Sequence, residues 1–204
     1  ALHDFGLAYW REGNQADAET NDLEALAIRR RWFGPEHPEV AVSLIHLADV
    51  YRHYGRPAEA EPLTREALAI QEKNFGKDSL IAADSLRVLS ILMGDEGNWP
   101  ESESLAQEVL AIRRQRLGSE HPLVAASLAD VAWAASHQGK WDRVESLQRE
   151  VLAMQCKLYG TQHPFYLASL GNLCSTLERL GKFTELEKLL DEQLTPAFKK
   201  QPAC

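Results

Sequence analysis

The sequence is poor in the residues that build redox or metal centres. Only three cysteines occur among 204 residues, at Cys156, Cys174 and Cys204, and none forms a C-x-x-C pair. Such an odd, scattered set predicts neither a disulfide framework nor a zinc site. A reducing compartment, the cytoplasm, is the expected setting. Basic charge is also short, with 22 Lys and Arg against 30 Asp and Glu and a net charge of −8. A nucleic-acid binder needs a basic field, and so does docking on an anionic membrane, so neither partner is expected. Long apolar runs are missing as well. The most apolar stretch, Leu123 to Ala135, contains Asp130, and a membrane helix needs roughly 18 uninterrupted apolar residues. The N-terminus lacks a signal-peptide pattern.

The common catalytic motifs are absent too. There is no G-x-S-x-G, no H-E-x-x-H and no phosphate-cradling glycine loop. No enzyme activity, cofactor or metal is expected. The composition, 45% apolar and 25% charged, is that of an ordinary folded chain.

What the chain does have is a clock. Nine of its twelve glycines stand at 13, 34, 55, 76, 97, 118, 139, 160 and 181, each 21 residues after the last. Even spacing over most of a chain is the mark of internal repeats. The neighbours of these glycines alternate. One set precedes Arg56-Pro57, Asn98-Trp99, Lys140-Trp141 and Lys182-Phe183. The other precedes Pro35-Glu36-His37-Pro38, Ser119-Glu120-His121-Pro122 and Thr161-Gln162-His163-Pro164. The true period is therefore 42 residues, with two elements in each repeat.

Both elements read as helices. Leu44, Leu47, Ala48 and Tyr51 recur in register as Leu128, Val131, Ala132 and Ala135, then as Leu170, Leu173, Cys174 and Leu177. Steps of three, one and three trace one helical face. In the second element Ala60, Leu63, Ala67, Leu68 and Ile70 match Val144, Leu147, Val151, Leu152 and Met154. Glycine suits a helix end that needs a left-handed backbone, and proline suits a first helical turn. The spacing predicts helices over 1–12, 15–33, 38–54, 57–75, 79–95, 99–117, 122–138, 141–159, 164–180 and 183–194. These make five antiparallel pairs, in repeats 1–34, 35–76, 77–118, 119–160 and 161–194. Thr195-Pro196 is expected to end the pattern and leave a tail, 195–204. Such pairs bury their faces only by stacking, so the fold class is an all-α solenoid.

The runs Ala60-Glu61-Pro62-Leu63 to Ile70 and Gly118-x-x-His121-Pro122-x-Val124-Ala125 closely resemble the 42-residue tetratricopeptide repeats of kinesin light chain, which also occur widely in bacterial proteins. The resemblance covers about 1–194. It implies a right-handed superhelix whose first helices line a concave groove, and a function in binding peptides or proteins there. It departs at the third repeat, where Ser79-Leu80 replaces His-Pro. In the column where such repeats often carry a peptide-clamping asparagine, this chain has Asp4, His46, Val88, Asp130 and Asn172.

The bland readings of the polar residues come first. His37, His121 and His163 are repeat-register residues, expected to cap the following helices. Glu19, Glu61, Glu103, Glu145 and Glu187 share a column and are expected to serve the framework. Cys174 falls in a core column, whereas Cys156 falls in an exposed one. The groove is where the repeat stops repeating. Its candidate contacts are His46, Asp49, Arg52, Arg87, Asp130, Trp133, His137 and Asn172. Arg52 and Arg87 could grip a carboxylate or phosphate, and Trp133 could anchor an apolar group. The expected partner is a protein or peptide segment. Two other readings stay open: a regulatory or scaffold segment of a larger bacterial protein, as in kinase-linked arrays, and self-assembly through bare end faces. The non-Met start at Ala1 and the incomplete first repeat suit a section of a longer solenoid, with further repeats or copies at its ends.

Overall fold

A computed structural model of the chain describes residues 15–198, so the helix expected over 1–12 lies outside the described residues. Every element among them is an α-helix: α1 Gln15–Phe33, α2 Pro38–His53, α3 Pro57–Phe75, α4 Leu80–Asp95, α5 Trp99–Leu117, α6 Pro122–His137, α7 Trp141–Tyr159, α8 Pro164–Arg179 and α9 Phe183–Phe198. The bounds meet the sequence expectation closely except at the C-terminal end. There the helix runs to Phe198, past Thr195-Pro196, where a tail was expected from 195. A proline removes one helical hydrogen bond and can kink a helix, but it need not stop one.

The two glycine sets do different work. At Gly55 the amide donates to the Arg52 carbonyl at 3.0 Å and the next amide, Arg56, reaches back to Tyr51 at 2.9 Å. This pair of bonds is the Schellman closure, which satisfies carbonyls orphaned at a helix end. It recurs at Gly97, Gly139 and Gly181. Gly76 and Gly160 instead combine φ of 87° and 78° with extended ψ of 153° and 167°. That region is open essentially to glycine alone. A Cβ at either position would meet nothing within 4 Å, so backbone conformation and not space demands the glycine.

The turns after the second set are capped by side chains. His37, His121 and His163 each accept a hydrogen bond at Nδ1 from the amide two residues on, at 3.1–3.2 Å. Ser79 does the same job for α4, accepting from the Ala82 amide at 3.1 Å. An N-cap satisfies one of the four orphan amides at a helix start. His37 and His163 also stack on Phe33 and Tyr159, the last residues of the preceding helices. The histidine column is thus a capping device, as the repeat register suggested.

The chain forms two compact units that divide between Ile112 and Arg113. In the first, Val40, Leu44 and Leu47 of α2 pack with Leu26 of α1 and with Ala67 and Ile70 of α3. Leu89, Leu92 and Met93 of α4 continue this core against Ala48 and Ala60. Ala83 and Leu86 then meet Val109 and Ile112 of α5. In the second, Ala132 and Ala135 of α6 pack on Val144, while Leu173 and Leu177 of α8 pack with Leu152 and Tyr166. Each cluster joins residues about one element apart in sequence, the nearest-neighbour packing of repeat proteins.

The glutamate column makes framework bonds at four of its members, Glu19, Glu61, Glu103 and Glu145, whereas Glu187 is exposed. Glu19 bonds Arg56 at 2.8 Å and Tyr51 at 3.1 Å, Glu61 bonds Arg65 at 2.7 Å, and Glu145 bonds Arg149 at 2.8 Å and Lys182 at 2.7 Å. Lys182 and Arg149 hold the Glu145 carboxyl below its usual pKa against the opposing effect of burial.

Candidate functional site

The expected groove positions lie on the first helix of each pair, off its core face. In the first unit they gather charge. Arg52 on α2 places Nε 3.8 Å from Oδ1 of Asp49 and Nη1 3.8 Å from Oδ2 of Asp95 on α4. These are ion pairs too long to be hydrogen bonds. Burial raises the Asp49 carboxyl above its ordinary pKa, opposed by the Arg52 and His53 charges. His46 and Arg87 are half-buried on α2 and α4. The cation expected to grip a ligand carboxylate thus already lies between two carboxylates of its own chain.

The second unit is built differently. Here α6, α7 and α8 enclose a cavity of about 260 Å³. One wall is Ala129, Ala132, Trp133 and Ser136 of α6, and the floor is Trp141, Val144, Gln148 and Val151 of α7. The other wall is Ser169, Asn172, Ser175, Thr176 and Arg179 of α8. Steps of three and four along α6 and α8 bring these residues onto one helical face each. The Arg179 guanidinium lies 4.8 Å from the Trp141 ring centre, within cation–π range. Trp133 is 40% exposed, and its ring meets His137 edge-on at 5.2 Å.

Three of the four hydroxyl donors of this cavity are already used. Ser136 donates to the Trp133 carbonyl at 2.7 Å, Ser175 to Gly171 at 3.1 Å and Thr176 to Asn172 at 3.1 Å. What those hydroxyls still offer is lone pairs. Gln148 adds another acceptor: its Oε1 is shielded from solvent and has no hydrogen-bond partner.

The sequence candidates therefore divide. Trp133 and Asn172 line the cavity; Asp130 and His137 share α6 with Trp133 without lining it. His46, Asp49, Arg52 and Arg87 belong to the first unit. Trp141, Gln148 and Arg179 were not among the expected contacts. A signal for Gln148 was present in its repeat column, where Thr64 and Ala106 are small and buried but Gln148 is neither.

The comparison with protein families rests on this repeat. The model of the tetratricopeptide repeat matches residues 1–73, 55–115 and 82–157. The chain belongs to the tetratricopeptide repeat family. Its fold class is accordingly the all-α helical-repeat solenoid. It is similar to a solved structure of kinesin light chain TPR-like repeats from Podosopora anserina, with 28% identity over 95% of this chain and 92% of that one and a TM-score of 0.83. BtubC (BKLC) from P. vanneervenii shares the fold at 20% identity, a TM-score of 0.84 and coverage of 100% of this chain and 82% of that one. So does a Rap protein, at 17% identity, a TM-score of 0.69 and coverage of 96% and 52%. No curated protein matches the chain.

The cysteines require a correction. Cys156 was expected to be exposed and unpaired, but it is half-buried against the cluster that contains Leu152 and Tyr166, and it is disulfide-bonded. Disulfides depend on proximity in space, which the lack of a C-x-x-C spacing does not address. Cys174 is a free thiol whose pKa burial pushes up, in keeping with its core column. Among the described residues no group of three or more His, Cys, Asp and Glu could hold a metal ion, and no helix is long and apolar enough to cross a membrane.

Proposed function

We propose that this tetratricopeptide array is a protein–protein interaction module that binds an extended segment of a partner across its first helices, with the cavity of the second unit as the anchoring point. The observation that carries this reading is the cavity itself. It is lined on both sides by residues of first helices and bordered by two tryptophans, a residue type enriched at binding hot spots. Family membership supports it, since tetratricopeptide repeats generally act by binding other proteins. A structural neighbour, the Rap protein, was solved in complex with Competence and Sporulation Factor. On this reading Trp133 and Asn172 contact the segment directly. Asp130 and His137 flank it on α6, while His46, Asp49, Arg52 and Arg87 are candidate contacts of the first unit taken by itself.

A displayed peptide library selected on the chain tests the proposal. Selected peptides should lose about tenfold or more in affinity to Trp133→Ala, the range of a hot-spot truncation. Binders indifferent to both Trp133→Ala and Asn172→Ala would place recognition elsewhere.

A further inference from the structure

The cavity of the second unit carries a more specific chemistry, and the argument rests on the reading of that cavity as a binding site. Its volume, about 260 Å³, lies below the roughly 300–1,000 Å³ of pockets that enclose whole small ligands. It suits one side chain of a longer segment. The flat walls Trp133 and Trp141 favour a planar group. Hydrogen-bonding capacity then narrows the choice.

The lining holds donors at Asn172 and Arg179, but its unsatisfied buried atom is an acceptor. Ser136, Ser175 and Thr176 have spent their donors on backbone carbonyls, and Gln148 Oε1 has no partner. A buried acceptor without a donor is costly, so a ligand that supplies one gains more than an ordinary hydrogen bond. The terminal amide torsion of glutamine is broad, so Oε1 can turn toward an incoming donor with little rotameric cost. A carboxylate could pair with Arg179 but has no donor to give, so Gln148 Oε1 would stay unsatisfied. A lysine or arginine head would have donors but would meet Arg179, the only charged residue lining the cavity. A neutral primary amide meets both demands. Its NH₂ provides two donors for the acceptor wall, and its carbonyl can accept from Arg179.

We infer that this cavity is a specificity pocket for a glutamine side chain of the bound segment, read by Gln148 on the floor and Arg179 at the edge. The repeat column supports the assignment. The described equivalents of Gln148 are Asp22, Thr64, Ala106 and Leu190, so the side-chain amide is specific to this repeat.

The test uses the whole chain and three capped single residues as probes: N-acetyl-glutamine methylamide and its glutamate and lysine counterparts. The readout is the indole N–H resonances of Trp133 and Trp141 in NMR titrations. The glutamine probe should shift both signals and bind about tenfold more tightly than the glutamate isostere, the order expected of one net hydrogen bond. Gln148→Leu should abolish that preference while the probe backbone still gives weak shifts. Equal binding of glutamine and glutamate, a preference for glutamate or lysine, or no shift with any probe would each overturn the inference. Library peptides that bind through Trp133 without a glutamine preference would overturn it while leaving the binding-module reading intact. Glutamine selectivity at Trp133 and Trp141, with library peptides bound elsewhere, would do the reverse.

Discussion

The two units are built on one repeat yet present opposite chemistry on their first helices. In the first, Arg52 lies between the carboxylates of Asp49 and Asp95. In the second, the corresponding columns bring Trp133, Ser136 and Arg179 around a cavity with a single charged residue. The core columns hardly differ: Leu44, Leu86, Leu128 and Leu170 share one column, and Leu47, Leu89, Val131 and Leu173 share the next. The framework is therefore common property, whereas recognition is free to vary off the core face. A polar surface whose charges are already paired offers a ligand little, because each new contact must replace an existing one. A cavity with unfilled hydrogen-bonding capacity has no such competition.

That contrast can be broken or sharpened by a graded series of substitutions. The largest effects belong to the shared framework. Leu44→Ala and Leu128→Ala, both at fully buried positions, should each cost about 2–5 kcal/mol in urea denaturation. If one cost a small fraction of the other, the frameworks would not be equivalent. Next comes Trp133→Ala, which should cost about 2 kcal/mol of peptide affinity and leave the helical content unchanged by circular dichroism.

Glu145→Gln should follow, at about 1–2 kcal/mol of stability for the lost charge-assisted bonds to Arg149 and Lys182. The Glu145 carboxyl has a lowered folded-state pKa. Its contribution is therefore present above the unfolded-state pKa and lost as the pH falls through the folded one. Acid titration of wild type and variant should converge at the low-pH end. A gap that widened toward acid would contradict this sign. His121→Ala should cost about 1 kcal/mol through loss of the α6 cap, measured by thermal unfolding. The smallest effect is expected at Arg52→Ala. Peptide affinity should change less than about threefold, because exposed ion pairs of this kind are worth under about 1 kcal/mol. A loss as large as that of Trp133→Ala would move the recognition centre to the first unit and break the contrast.

Much of the framework was legible beforehand, for physical reasons. A 42-residue period fixes which positions face the neighbour, and glycine marks backbone that other residues reach only under strain. Helix bounds, the histidine caps and the structural glutamates followed from register alone. Less was legible at the site. Trp133 stood out as an aromatic in a groove column and Asn172 as the one residue matching the asparagine of such repeats, but Trp141 sits at a helix start where an aromatic reads as core. Gln148 lies on a second helix, where no groove contact was sought. The pairing of Arg52 with Asp95 joins residues 43 apart, and no pattern in the sequence says that two charged columns will meet.

The sequence by itself determined the repeat, the helices, their caps and the face each one buries, because these depend on local backbone preference and on periodicity. Only the tertiary structure decided which off-core side chains meet. That choice turned one stretch of groove residues into an ion-paired charge cluster and another into an open cavity with an unsatisfied amide oxygen. Contacts between repeats depend on side-chain reach and direction across the packed helices, and these quantities are set in three dimensions.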